Sequence, residues 1–447
     1  MKLWQKNIDT SKDVEKFTVG KDREFDLQLA PFDVLGSIAH AKMLGEVGLL
    51  TKEEVSQLTA HLQIIFKSIH QSQFTIDDTV EDIHSQIEFL LTQKLGETGK
   101  KIHTARSRND QVLVDIKLFL RSKIEELVKS IQSFFALLQN QSEKYKDHLF
   151  PGYTHLQLAM PSSFGLWFGA YAEGLVDDMI TLKAAYDVAN KNPLGSAAGY
   201  GSSFPINRTL TTKLLGFDHL NYNVVYAQMG RGKIERIVAM ALANVADTLS
   251  KLSMDACLYL NQNFDFISFP VELTTGSSIM PHKKNPDVFE LIRSYCNGIK
   301  SLPNEIMMMT TNLPSGYHRD LQPLKEHLFP AFQILNDCIE MAALMLTNIE
   351  IKKDILVDDK YKYLFTVDDV NKLVMQGIPF RDAYKIVGQK VVDGSYTPSP
   401  LSEVGRGHHE GSIGNLCNEE IKKQMDRIVS SFPFTSVHTA LGELLKP

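Results

Sequence analysis

Three short stretches of this chain carry more reactive side chains than a linker or a packed helix needs. The first is Lys101-Ile-His-Thr-Ala-Arg-Ser-Arg-Asn-Asp-Gln111, just ahead of a long apolar helix. It sets His103, Thr104, Arg106, Ser107, Arg108 and Asn109 almost in a row. Asn109 or Asp110 could cap that helix, because such side chains satisfy free backbone amides. Capping does not call for two guanidiniums. With hydroxyl and amide donors beside a positive helix N-terminus, they suit carboxylate binding. By itself this stretch is as readily a solvated turn as a site. The second stretch, Pro151-Gly-Tyr-Thr-His-Leu-Gln-Leu-Ala-Met-Pro161, holds Thr154, His155 and Gln157. A lone His is more often buried and satisfied by a carbonyl, yet a proline-bounded turn could equally present hydroxyl and imidazole to a ligand. The third is Thr275-Gly-Ser-Ser-Ile-Met-Pro-His-Lys-Lys-Asn-Pro286, with Glu290 on the helix predicted to follow. An exposed basic loop accounts for Lys283 and Lys284 but not for Ser277, Ser278 and Asn285. A loop hinged at Gly276 and carrying Ser and Lys is the kind of lid that completes a site on closure.

The elements that must position these groups are helical. From Ile234 the apolar residues recur as Ile237, Val238, Ala241, Leu242, Val245, Leu249, Leu252 and Ala256, in helical steps over more than six turns. Ile116 to Leu138 and Phe329 to Leu346 repeat the pattern, and sustained period-two alternation is hard to find. The predicted fold is all-α, with three mainly helical domains around a central long-helix bundle. Residues 1–105 form an amino-terminal domain of short helices, and 106–355 the bundle and oligomer core. Residues 356–447 form a smaller domain that includes the turn-rich run Gly394 to Asn415. Helices of this length bury one another's apolar stripes, and their spare faces predict burial between subunits.

The whole-chain balance narrows the function classes. Among 447 residues, 43% are hydrophobic and 22% charged, with a net charge of −6. That is an ordinary globular composition without the basic footprint of a nucleic-acid binder. Leu149 to Ala172 lacks Asp, Glu, Lys and Arg and is long enough to span a bilayer. Its prolines, Gly152, Thr154, His155 and Gln157 instead predict a buried turn followed by a core helix, and no membrane association. Cys257, Cys296, Cys338 and Cys417 lie far apart, as free thiols of a reducing compartment do. With no apolar signal region after Met1, a cytoplasmic protein is expected. Leu95 to Lys101 lacks the spacing of a phosphate loop, and His408-His409 has no third ligand suitably placed, so no metal is expected.

GSSIMPHKKNP, residues 276–286, resembles the signature of the fumarase/aspartase superfamily, whose members remove fumarate from succinyl-bearing substrates. KIHTARSRNDQV and PGYTHLQ are similar, nearly residue for residue, to the argininosuccinate lyase family. Phe32-Asp-Val-Leu-Gly-Ser37, Glu81-Asp-Ile-His84 and Leu313-Pro-Ser-Gly-Tyr-His-Arg-Asp-Leu-Gln-Pro-Leu-Lys325 extend the likeness from about residue 26 to about 390. The resemblance implies β-elimination of argininosuccinate to arginine and fumarate without a cofactor, in a homotetramer whose active sites are shared between subunits. It makes Ser277 the base with Lys283 nearby, and gives His155 an acid or relay role with Glu290 orienting it. Asn109, Thr154, Lys283 and Asn285 would hold the succinyl carboxylates. Arg108, Tyr317, Gln322 and Lys325 would surround the arginine portion, with Asp82 nearby and Ser107 in the same row of binding residues. Related readings are another fumarate-releasing lyase, such as an adenylosuccinate lyase, and a crystallin-like structural protein. Three departures stand out. The family's GGRF is absent after Lys2-Leu-Trp4, where QKNIDT stands, and Ala105 replaces a usual glycine. Tyr222 to Lys233 replaces a segment that normally supplies an arginine, leaving Arg231 and Arg236 as candidates.

Overall fold

The computed structural model describes residues 11–399 and 407–446. The amino-terminal part runs through α1 (Lys12–Val19), α2 (Asp22–Glu46), α3 (Lys52–His70), α4 (Ile83–Leu95) and the single turn α5 (Glu97–Lys100). Then come α6 (Arg108–Lys144), a hairpin of β1 (Leu149–Thr154) and β2 (Gln157–Ser163), and α7 (Phe164–Ala189). A looped stretch holds β3 (Lys191–Asn192), α8 (Arg208–Leu214), β4 (His219–Leu220) and α9 (Val224–Met229), and leads into α10 (Lys233–Leu260). β5 (Ile267–Ser268), α11 (Asp287–Ile299), α12 (Leu302–Met309), α13 (Leu324–Thr347) and β6 (Glu350–Ile351) follow. The chain closes with α14 (Thr366–Met375), α15 (Phe380–Val392), α16 (Asn418–Ser430) and α17 (Phe434–Leu444).

Local chemistry sets the helix boundaries. Ser107 caps α6 in a box, donating its own backbone N–H to Asp110 at 2.9 Å while its hydroxyl accepts from Asn109. The cap is therefore Ser107, two to three residues ahead of the Asn109 or Asp110 that the sequence suggested. Ser163 caps α7 by accepting from Leu166 at 3.1 Å. Gly232 starts α10 at φ +75°, and a Cβ there would meet the Thr310 side chain at 2.5 Å, so no larger residue fits.

α6, α7, α10, α11 and α13 enclose one continuous core that buries Phe119, Phe134, Phe168, Phe289 and Phe332. Removing each such side chain from water contributes about 1.5–3 kcal/mol. A second cluster joins α2, α3 and α4 through Val34, Ile38, Leu58, Leu62 and Ile87, and a third, small one holds Val370, Ala383, Val387 and Tyr396. α10 and the stretch Arg319–Thr347 are long and apolar enough to cross a membrane, but 56% and 50% of their apolar windows are buried inside the bundle. They are core helices.

The charge-free stretch differs from its expected form. Instead of a buried turn it is an antiparallel hairpin pairing Leu149 with Ser163 and Thr154 with Gln157, and its tip is exposed. The core helix follows only from Phe164. Phe150, stacked on Phe164 at 4.3 Å, anchors the hairpin to the bundle, while among the described residues the polar side chains of the exposed tip make no hydrogen bond. Residues 5–10, which carry QKNIDT, and residues 400–406 of the turn-rich run lie outside the described residues.

Candidate active site

Five helices begin around one cavity of about 260 Å³. α2 brings Asp22 and Asp26; the start of α4 brings Glu81, Asp82 and His84. The first turn of α6 adds Arg108 and Asn109, and Arg231 stands just before α10. Tyr317, Arg319, Gln322 and Lys325 arrive on the segment entering α13. Each helix N-terminus carries a partial positive charge and unsatisfied N–H groups, so their convergence favours an anion. The side chains supply both signs. Arg108 pairs with Asp82 at 3.0 Å and donates to Ser85 at 2.5 Å. Lys325, buried, pairs with Asp26 at 2.5 Å and Asp22 at 2.7 Å. Burial pushes Asp82 up, but the charges of His84 and Arg108 and two hydrogen bonds from Ser85 bring it below the usual carboxylate range. Asp22 goes the other way. Burial, opposed by Lys325 and reinforced by Asp26, pushes it up to about 6. A cavity of this kind suits a ligand carrying carboxylates together with ammonium or guanidinium groups.

Six of the residues singled out from the sequence therefore meet here: Asp82, Arg108, Asn109, Tyr317, Gln322 and Lys325. Ser107 adjoins them as the cap of α6. The other six do not line the cavity. Thr154 and His155 sit at the exposed hairpin tip beyond the C-terminal end of α6, and that helix of 37 residues is about 55 Å long. Ser277, Lys283, Asn285 and Glu290 lie past the C-terminal end of α10, whose 28 residues span about 42 Å. Both helices start at the cavity and end together with α13: Gln141 of α6 hydrogen-bonds the Leu346 carbonyl at 2.5 Å, and Ile267 after α10 pairs with Ile351 after α13. The chain thus carries its motifs at opposite ends of the bundle.

At that far end the geometry is still specific. His155 and Leu156 occupy the two-residue hairpin turn at φ 54° and 57°. This is the left-handed conformation that hairpin turns reserve for Asn or Gly. Holding two bulky side chains there strains the backbone, a feature that clusters at functional sites. The Ser277 loop is closed at its base by Asn285 N–H donating to Thr275 O at 2.8 Å. Ser277 Oγ accepts from the backbone of Met280 at 3.1 Å and Ile279 at 3.3 Å, an amide-rich setting that favours a negative oxygen. Among the described residues, His155 makes no hydrogen bond to Glu290, and both are exposed.

A family model described as "Lyase" matches residues 5–300. The argininosuccinate lyase of Bacteroides fragilis is 59% identical over 444 residues, covering 99% of both chains, and that of Bacteroides thetaiotaomicron matches to the same extent. The argininosuccinate lyase of Thermotoga neapolitana is 38% identical over 87% of this chain and 98% of its own. The chain belongs to the argininosuccinate lyase family. Among solved structures, an EDDS lyase in complex with formate superposes with a TM-score of 0.76 at 20% identity, covering 98% of this chain and 92% of that one. A fumarate lyase:delta crystallin from Brucella melitensis gives 0.69 at 16%, covering 92% of each. At such identities these two speak for the fold, which is the mostly helical lyase fold expected.

As a member of the argininosuccinate lyase family the chain keeps an arginine at the cavity despite its divergent 222–233 segment. Arg231 lines both this cavity and a neighbouring one, while Arg236 lines only the neighbour. Arg231 is buried and fixed by Glu235 at 2.8 Å and the Leu321 carbonyl at 2.7 Å. Ala105, in place of the family's usual glycine, sits at φ 64°. Asp110 shows that the first motif is no solvated turn: it is fully buried and accepts from Gly195 and Ala197 N–H at 2.9 Å each.

Sequence reasoning passed over the acidic residues Asp22 and Asp26 and the group beneath the cavity floor. There His84, Asp33 and Asp115 hold ligand-type atoms within 4.8 Å of one another, all buried. His84 Nδ1 is hydrogen-bonded to Asp33, which also accepts from Gln111 at 3.1 Å and Ser37 at 3.3 Å. The available signal was the polar residues recurring on the apolar faces of α2 and α6.

Proposed function

We propose that the chain cleaves argininosuccinate to arginine and fumarate as a homotetramer in which each active site combines segments of several subunits. The observation that carries this is the split of the site: a charged cavity at the converging helix starts, and the Ser277 and His155 segments a bundle's length away. Only another copy, packed in the opposite sense, brings both ends together. Exposed apolar side chains on α10, α11 and α12 support such packing, among them Met240, Met254, Leu291, Tyr295 and Met308, between 48% and 64% exposed.

The reaction removes a carbon-bound proton next to one succinyl carboxylate. Its electron pair moves onto that carboxylate as an aci-carboxylate, then forms the double bond as the guanidino nitrogen leaves and takes up a proton. Fixed donors aimed at the carboxylate lower this barrier most, and a base and an acid complete it. Ser277, over its two amides and beside Lys283, is the base in this reading, and His155 with Glu290 delivers the proton to the leaving nitrogen. Thr154, Asn109, Lys283 and Asn285 hold the succinyl carboxylates, and Arg108, Tyr317, Gln322, Lys325 and Asp82 surround the arginine portion. The mixed charges of the cavity support that second assignment.

Release of fumarate from argininosuccinate, followed by ultraviolet absorbance, tests the proposal. Turnover is expected without added metal or nucleotide. Activity confined to adenylosuccinate would overturn the substrate, and activity lost to chelation and restored by a divalent ion would overturn the cofactor-free reaction.

A further inference from the structure

Most cations of the cavity are already matched inside it. Arg108 faces Asp82 and Glu81, Arg319 faces Glu81 at 2.8 Å, and Lys325 faces Asp22 and Asp26, all carboxylates of the same lining. Arg231 commits two of its nitrogens to Glu235 and the Leu321 carbonyl. His84 is different. Its ring is 93% buried and lines the cavity, Nδ1 is bonded to Asp33 behind it, and among the described residues Nε2 makes no hydrogen bond. Asp33 is fully buried, so the counter-charge is sealed away on the side opposite the ligand.

We propose that His84, bonded through Nδ1 to Asp33, is a substrate-binding residue whose Nε2–H donates to the α-carboxylate of the arginine portion. The inference rests on the lyase reading for the identity of that ligand, since Arg108, Tyr317, Gln322 and Lys325 around it are the residues assigned to arginine. Asp33 acts through His84 and is a positioning residue. Burial lowers the imidazole's proton affinity, but the Asp33 charge and hydrogen bond, with Asp82 and Asp26, outweigh it and raise His84 above its ordinary value. Asp115, pushed well above the carboxylate range by burial and by the Asp33 charge, is the neutral acid of the group, and its Oδ2 lies 3.5 Å from His84 Nδ1. A divalent ion would have to break the Nδ1–Asp33 bond and lie near the buried Arg106 guanidinium, whose charge faces Asp33 and Asp115.

Calorimetric titration of L-arginine, and separately of succinate, into the wild type, His84→Gln and Asp33→Asn tests this. His84→Gln is expected to weaken L-arginine about tenfold or more, the loss of one charge-assisted hydrogen bond, and to leave succinate unchanged. Asp33→Asn is expected to lower the pH above which L-arginine binding falls away. The charges facing the imidazole are Asp26 and Asp33 of α2, Asp82 before α4, His103 ahead of α6 and Asp115 of α6, with the Arg106 guanidinium behind Asp33 and Asp115. Of these, Asp33 alone bonds Nδ1. A His84→Gln protein with an unchanged unfolding midpoint and wild-type L-arginine affinity overturns the proposal, as does a loss confined to succinate or one divalent ion per chain whose removal abolishes binding. Should the variants not fold, nitrogen-15 NMR of the wild-type histidines decides. A neutral His84 at pH 7, or an Nε2 signal indifferent to L-arginine, overturns it. A wild type that binds L-arginine through His84 yet releases no fumarate would sink the lyase reading and leave this one standing.

Discussion

Asp22 shows how single side chains in the cavity set its working range. Its carboxyl titrates near pH 6, because burial and Asp26 favour the neutral form more than Lys325 opposes it. As pH falls through that value Asp22 takes a proton, Lys325 loses one of two counter-charges, and the cavity grows more positive. The cationic head of the arginine portion should then bind less well. We expect KM for argininosuccinate to rise as pH falls from 7 to 5, with kcat less affected. Asp22→Asn should show the raised KM already at pH 8 and no inflection near 6. Parallel pH profiles check this, and an inflection retained by the variant would assign it to another group. At this scale the sequence was legible where motifs were compact, as for Arg108-Asn109 or Gln322 and Lys325. It was illegible where partners come from distant helices: nothing local ties Asp22 to Lys325, or Asp33 and Asp115 to His84. Those pairings exist only once α2, α4, α6 and α13 start at one place.

Among the elements, helices were readable because their apolar steps persist for many turns, whereas the hairpin was not. Its turn lacks Asn-Gly, its strands bear prolines at facing positions 151 and 161, and only five partner pairs form. The strain that hid it also offers a contrast with another left-handed position. Ala105, at φ 64°, precedes the cap of α6, and an L-alanine there is disfavoured by about 1–2 kcal/mol. Ala105→Gly should remove that strain but add unfolded-chain entropy, for a net gain of about 1 kcal/mol or less. Urea unfolding should show a higher midpoint with an unchanged slope. A lower midpoint would mean that the alanine methyl packs more favourably than its backbone is strained.

For the whole molecule, the split between the two ends of the bundle was beyond the sequence, which names the motifs but not the distance between them. The prediction here uses that distance. Ser277→Ala and His155→Ala chains, each inactive alone, should partly recover activity when mixed and refolded, because some combined sites would draw the intact Ser277 and the intact His155 from different chains. No recovery in a demonstrably mixed tetramer would defeat the shared site, and an active monomer would do so outright. The uninterrupted α6 has a further consequence for how such a chain can change over evolutionary time. One residue inserted in its middle moves everything beyond by about 1.5 Å and turns it by about 100°. In the shared-site assembly proposed above, the two ends would fall out of step with every neighbouring copy at once. Surface loops can lengthen or shorten freely, but the long helices act as measuring rods, and a change in their residue count should cost such an assembly as much as the loss of a catalytic side chain.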